Sequence, residues 1–179
     1  MWLVVGLGNP DNNYLKTRHN IGQYMMSLWL EKKWGESNLK HERKLKSLMT
    51  TKSIGFQKVC FIFPQTYMNL SGDAVLATMK YYDITVEQVI VLHDETELQP
   101  KDNRYKFGGG HKGHNGLRDI IKKAGSANFH RIRLGVGRPP HSSNMSLADY
   151  VLSNFSIDEV SPIEDVIKLI ESSIDDFPR

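Results

Sequence analysis

Three short runs in this chain, WLVV (2–5), VCFIF (59–63) and VIVL (89–92), are apolar at every position. A strand wetted on one side alternates apolar with polar residues, whereas a strand covered on both faces has no reason to. The runs are far too short to cross a bilayer. They call instead for one sheet with helices on each side, and the intervening sequence offers the helices. Helical spacing of apolar residues appears over 20–34, in LSGDAVLATMKYYD from about Ser71, and in GLRDIIKKAG, which Gly125 ends. Further strands are expected near 45–51 and 58–63 (closed by Pro64), in RYKF (104–107) and in FHRIRLGVG, with helical patterns near 147–154 and 156–174. Strands alternating with helices predict an α/β fold of three layers, a twisted, mostly parallel (mixed) sheet flanked by helices. At 179 residues the chain is long enough for one domain and short for two. No repeat or linker divides it, so a single domain over 1–179 is expected.

The one cysteine, Cys60, falls inside an apolar run, which rules out an internal disulfide and fits a reducing compartment. No basic stretch followed by an apolar one opens the chain, so a cytoplasmic location and no membrane partner are expected. The net charge is only +3, but it is unevenly spread. From Lys101 to Arg138 ten Lys/Arg face two acids, a balance of +8, while from His141 to Arg179 two basic residues face eight acids, a balance of −6. One region therefore attracts a polyanion and the terminal region does not.

Four polar clusters fall at expected strand ends, where open α/β sheets bind ligands. The first is GLGNPDNNYLKTRHNIG, residues 6–22. A dinucleotide fingerprint needs a third glycine where Asp11 stands and a helix directly after it, so that reading fails. His19, flanked by Arg18 and Asn20, is either a surface or helix-cap histidine or a base that works near neutral pH. Asp94, in His93-Asp94-Glu95, can cap a turn, or it can accept from one histidine nitrogen and leave the other as acceptor. In FPQTYMNLSG (63–72), Asn69 can cap a helix or donate to a carbonyl or oxyanion, beside the apolar surface of Tyr67 and Met68. In FGGGHKGHNG (107–116), three glycines allow close approach to a ligand and are followed by His111, His114 and Asn115. Metal ligation is disfavoured because no second spaced His or Cys pair accompanies His111 and His114. A serine elbow G-x-S-x-G is missing, and Cys60 lies where a thiolate is disfavoured. A histidine, an aspartate, several asparagines and a basic flank suit metal-free attack of water on an activated carbonyl attached to a polyanion.

The motifs GLGNP with Tyr14 and TRHNIG, PQTYMNLSG, HDETEL, KFGGGHKGHNGLRD and FHRIRLGVGRP resemble, in order and spacing, those of the bacterial peptidyl-tRNA hydrolase family, from Leu3 to about Leu152. The resemblance implies a peptidyl-tRNA hydrolase-like fold and a monomeric, metal-independent, cofactor-free esterase. Such an enzyme cleaves peptidyl-tRNA and recycles tRNAs dropped by stalled ribosomes. It implies His19 as the base that activates water, Asp94 as the group holding it in its basic form, and Asn9 as the residue distinguishing peptidyl from unblocked aminoacyl substrates. It further implies Asn69 and Asn115 near the scissile ester, His114 beside Asn115, and Tyr14 and Tyr67 lining the peptide and terminal-adenosine site. Lys106, Arg118 and Arg133 would meet tRNA phosphates. The chain departs from the family pattern at Asp11, where glycine is usual, and at Glu97, where a shorter aspartate is common. Its tail is short and ends DFPR. A non-catalytic RNA-binding protein on the same fold is the alternative, and the joint presence of His19, Asp94, Asn9, Asn69 and Asn115 argues against it.

Overall fold

The structure is a computed structural model and describes residues 1–35 and 38–175; the DFPR tail, 176–179, lies outside the described residues. One seven-stranded sheet is built from β1 (Trp2–Gly6), β2 (Lys40–Glu42), β3 (Ser47–Ile54), β4 (Gln57–Pro64), β5 (Val89–Glu95), β6 (Asn103–Phe107) and β7 (His130–Gly135), in the order β2-β3-β4-β1-β5-β7-β6. The central strands β4, β1, β5 and β7 run parallel. Antiparallel pairs close both edges, β2–β3–β4 on one side and β6–β7 on the other.

Two apolar cores lie on the two faces of this sheet, which is why WLVV shows no alternation. Trp2 and Val4 pack with α1 (Ile21–Trp34) and α5 (Ile163–Asp175), while Leu3 and Val5 pack with α2 (Ser71–Tyr82) and α3 (Asn115–Ala124). Burying each such Val or Leu fully contributes about 1.5–3 kcal/mol before ordering costs. Cys60 belongs to the second core, and burial pushes its thiol up to about 12.

The structure departs from the sequence pattern at three places. The strand β2 went unpredicted because Lys40, His41 and Glu42 carry no apolar signal; a short charged strand is a common way to blunt a sheet edge. The helical pattern over 147–154 shrinks to α4 (Leu147–Val151), since Asn154 is drawn into a β-bridge with Thr17. The pattern over 156–174 is split. Ser156 and Glu159 form a capping box on a 3-10 turn, and α5 begins only after Pro162, which disfavours helix in the residue before it.

One close approach places the site. Gly22, in the first turn of α1, packs so tightly on β5 that a Cβ there would overlap the Leu92 carbonyl. Any larger residue would push α1, and the turn before it, off the sheet. That turn holds His19, and Asp94 is the last residue but one of β5.

Candidate active site

The loops that leave β1, β4 and β5 meet at the carboxyl edge of the parallel strands, around a cavity of about 530 Å³. The long connection that leaves β1 is pinned to itself by one asparagine. The Asn9 backbone N–H donates to Asn20 Oδ1 (2.8 Å), and Asn20 Nδ2 donates back to the Asn9 carbonyl (2.9 Å). Arg18 anchors the other side of the 3-10 turn Arg18–Asn20. Its guanidinium donates to Ser153 Oγ (2.5 Å) and Glu159 (3.2 Å) and stacks over Tyr150 at 4.1 Å. His19 is thereby held between two fixed neighbours.

The Asp94 carboxylate stands between two imidazoles. His19 Nδ1 lies 2.9 and 3.0 Å from its two oxygens, and His114 Nε2 lies 2.7 Å from Oδ1. His114 also caps α3, where its Nδ1 accepts from the N–H groups of Gly116 (3.1 Å) and Leu117 (3.2 Å). A nitrogen that accepts two backbone N–H groups holds no proton, so the His114 proton lies on Nε2 and is donated to Asp94. Asp94 accepts from His19 Nδ1–H in the same way, which leaves His19 Nε2 as a lone pair for the cavity.

The electrostatics agree. Burial disfavours the ionised Asp94, yet the two imidazoles hold its carboxyl well below the usual carboxylate range. Burial likewise opposes a charged His19, but the Asp94 carboxylate and its hydrogen bond outweigh that and raise the His19 pKa above its ordinary value. His93 is different. Burial, reinforced by His114, pushes it down to about 3, so it stays neutral, its Nδ1 donating to the Asp94 carbonyl (2.8 Å).

Around this array the cavity wall carries amides and cations. Asn9 Oδ1 accepts from Met68 N–H (2.8 Å), so its Nδ2 is left to donate. Asn115 Oδ1 accepts from Arg118 (3.2 Å), leaving its Nδ2 free in the same sense. Asn69 does not cap α2; it is exposed in the 3-10 turn before that helix and lines the cavity. Tyr67 is also at the mouth, its hydroxyl donating to Asp11 (2.9 Å), so the unusual Asp11 is engaged by a site tyrosine. Glu97, the second departure, is paired with Arg138. Lys106 and Arg133 line the wall, with Arg133 held by Glu95 (3.0 Å). Tyr14 and Arg118 are not among the lining residues; Arg118 reaches the site only through Asn115.

Two contributors were missed from sequence. Asn20 is the pin described above, and the signal was an amide following His19. Arg131 lines the cavity but is only 2% exposed, and its guanidinium donates to the carbonyls of Gly109 and Gly110, tying the glycine loop to β7. The signal there was a second arginine, two residues before Arg133 on the same strand.

His19, Asp94 and His114 bring three ligand-type atoms within 4.8 Å of one another. Their spacing, however, is that of N–H···O bonds. The nitrogen of His114 that a metal would need is the one carrying the proton, so the donor set fits a hydrogen-bonded array better than a metal centre.

A sequence profile of the family described as peptidyl-tRNA hydrolase matches residues 3–178. A peptidyl-tRNA hydrolase of Rickettsia bellii is 43% identical over 170 residues, covering 95% of this chain and 89% of that protein. One from Geobacillus thermodenitrificans is 42% identical, over 93% and 87% of the two chains. The crystal structure of peptidyl-tRNA hydrolase from Acinetobacter baumannii superposes with a TM-score of 0.83 at 38% identity, over 96% of this chain and 85% of that one.

Proposed function

The chain belongs to the peptidyl-tRNA hydrolase family and is a hydrolase of the ester joining peptide to tRNA; we propose that it works by general-base attack of water, with His19 as the base. The observation that carries this reading is the Asp94 carboxylate accepting from both His114 Nε2 and His19 Nδ1, which turns the His19 Nε2 lone pair to the cavity. Water gives a proton to Nε2 as its oxygen attacks the ester carbonyl. The proton then passes to the departing ribose oxygen, so no covalent intermediate or metal is required. The Nδ2 groups of Asn9, Asn69 and Asn115 are placed to donate to the developing oxyanion and to the peptide. A positioned base supplies about 10²- to 10⁴-fold and one oxyanion donor about 10²- to 10³-fold, which is ample for a reactive ester.

The same residues account for selectivity. A blocked substrate offers an amide carbonyl that Asn9 Nδ2 can donate to. A free aminoacyl ester instead brings an ammonium into a cavity already lined by Lys106, Lys112, Arg131 and Arg133. The alternative of a non-catalytic RNA-binding protein finds no support among the relatives. Recycling of tRNA from stalled ribosomes, action as a cytoplasmic monomer, and a single-domain organisation complete the proposal. Among the described residues no helix is long and apolar enough to cross a membrane.

The test is hydrolysis of an N-acetylated aminoacyl-tRNA and its unblocked counterpart, with and without EDTA. Cleavage of the acetylated substrate alone, unaffected by EDTA, is expected. Cleavage of both at similar rates removes the selectivity argument, and loss of activity in EDTA removes the metal-free mechanism.

The rate also carries a pH signature. His19 acts in its neutral form, and its pKa is raised by Asp94 despite burial, so kcat/KM should fall as pH drops through a value above about 6.5. An acid limb below 6, or none, would show that His19 is not the titrating base.

A further inference from the structure

The sheet separates the protein's charges as well as its cores. On the α1/α5 face three basic residues are paired with acids: Arg18 with Glu159, Lys32 with Glu164 and Lys33 with Glu171. On the α2/α3 face the situation is different. The turn between β2 and β3 reads Arg43-Lys44-Leu45-Lys46, and its conformation is fixed. Leu45 is buried in the core beneath α2, Lys46 adopts a left-handed conformation (φ 49°), and Lys46 N–H donates to the Arg43 carbonyl (3.1 Å). With Leu45 pointing inward, Arg43, Lys44 and Lys46 are held outward and exposed. Among the described residues Arg43 and Lys44 have no acidic partner, and Lys46 has only the loose contact to Asp73 at 3.6 Å.

This turn belongs to the end of the sheet that carries the site. Gln65 N–H donates to the Lys46 carbonyl (2.8 Å), and Gln65 is two residues from Tyr67 at the cavity mouth. Asp73 also pairs with Lys123 of α3 (2.6 Å), the helix that presents Asn115 to the cavity and exposes Arg118 and Lys122 one turn apart. Exposed cations thus stand both on α3 and at the 43–46 turn, and the two are joined through Asp73, which contacts Lys123 and Lys46.

We propose that the Arg43–Lys46 turn is a second RNA-contacting site, where backbone phosphates of the substrate's tRNA body are bound, distinct from the cations at the cavity. The proposal rests on the hydrolase reading. Exposed Arg and Lys side chains on a turn suit phosphate oxygens, and such contacts are electrostatic and independent of sequence. The terminal nucleotides occupy the cavity, and the duplex beyond them meets the turn.

The experiment compares wild type with the double variant Arg43→Gln/Lys44→Gln on two substrates. One is an N-acetylated aminoacyl ester of full-length tRNA, and the other is the same ester on a trinucleotide CCA. Two exposed charge contacts should raise KM for the full-length substrate on the order of 2- to 30-fold, with kcat unchanged. The slope of log KM against log salt should fall by about 1.4 to 1.8. The trinucleotide kinetics should not move. A control, Lys58→Gln, alters an exposed lysine at the start of β4, the opposite end of that strand from the site, and should have no effect. Unchanged KM for the full-length substrate, an equal change on both substrates, or the same change with Lys58→Gln overturns the proposal. Failure of wild type to cleave either ester would instead overturn the hydrolase reading.

Discussion

Replacing His19 by alanine should lower kcat by about 10²- to 10⁴-fold, the contribution of a well-placed general base. The fold and the affinity for tRNA should be nearly unaffected. His19 is partly exposed at the cavity, and the turn that carries it is held from both sides by its neighbours, through the Asn9–Asn20 pair and the Arg18 contacts, not by the imidazole itself. The thermal midpoint and the affinity for deacylated tRNA separate this outcome from unfolding. Turnover within threefold of wild type would end the case for His19 as the base.

Replacing Asp94 by asparagine should be almost as costly, for a reason specific to this site. The carboxylate accepts from two histidine N–H groups, and asparagine has only one accepting oxygen. His114 cannot change tautomer without giving up the cap on α3. The asparagine oxygen is therefore claimed by His114, and its NH₂ group is turned toward His19. A donor facing Nδ1 drives the His19 proton to Nε2, the atom that must be bare to accept from water. A loss of about 10²- to 10⁴-fold in kcat is expected. The residual activity should also titrate differently. With the carboxylate gone, only burial remains to act on the His19 pKa, and burial lowers it, so the acid limb should move below 6.5. A variant with small loss and an unmoved acid limb would show that Asp94 neither orients nor charges His19.

Much of this was legible in the sequence because the informative residues sit at strand ends. The unbroken apolar runs of β1, β4 and β5 require cover on both faces, and they place His19, Asp94 and Asn69 at one sheet edge. What could not be read was which polar group serves which. His114 looked like a substrate contact beside Asn115, yet its ring spans the α3 cap and Asp94, a double role visible only when two backbone N–H groups and a carboxylate are located in space. Arg131 lies on a strand with His130 and Arg133, and only the fold reveals that it is the buried one and that carbonyls of the glycine loop receive it. Strand β2 escaped because a charged edge strand follows no hydrophobic period.

The position of β1 in the sheet has a consequence during synthesis. It is the first strand to be made, yet its two neighbours are β4 and β5, which end at Pro64 and Glu95. At roughly 5–20 residues per second, about 5–20 s of translation pass before both hydrogen-bonding edges of WLVV can be paired. Until β4 is made the nascent chain presents a wholly apolar strand with two open edges, and until β5 is made one edge stays open, a template for association with other chains. The His19 loop, made early, likewise waits for a partner on β5. Release before β5 is complete leaves an edge of β1 unpaired and the His19 loop without Asp94, an inactive and aggregation-prone fragment.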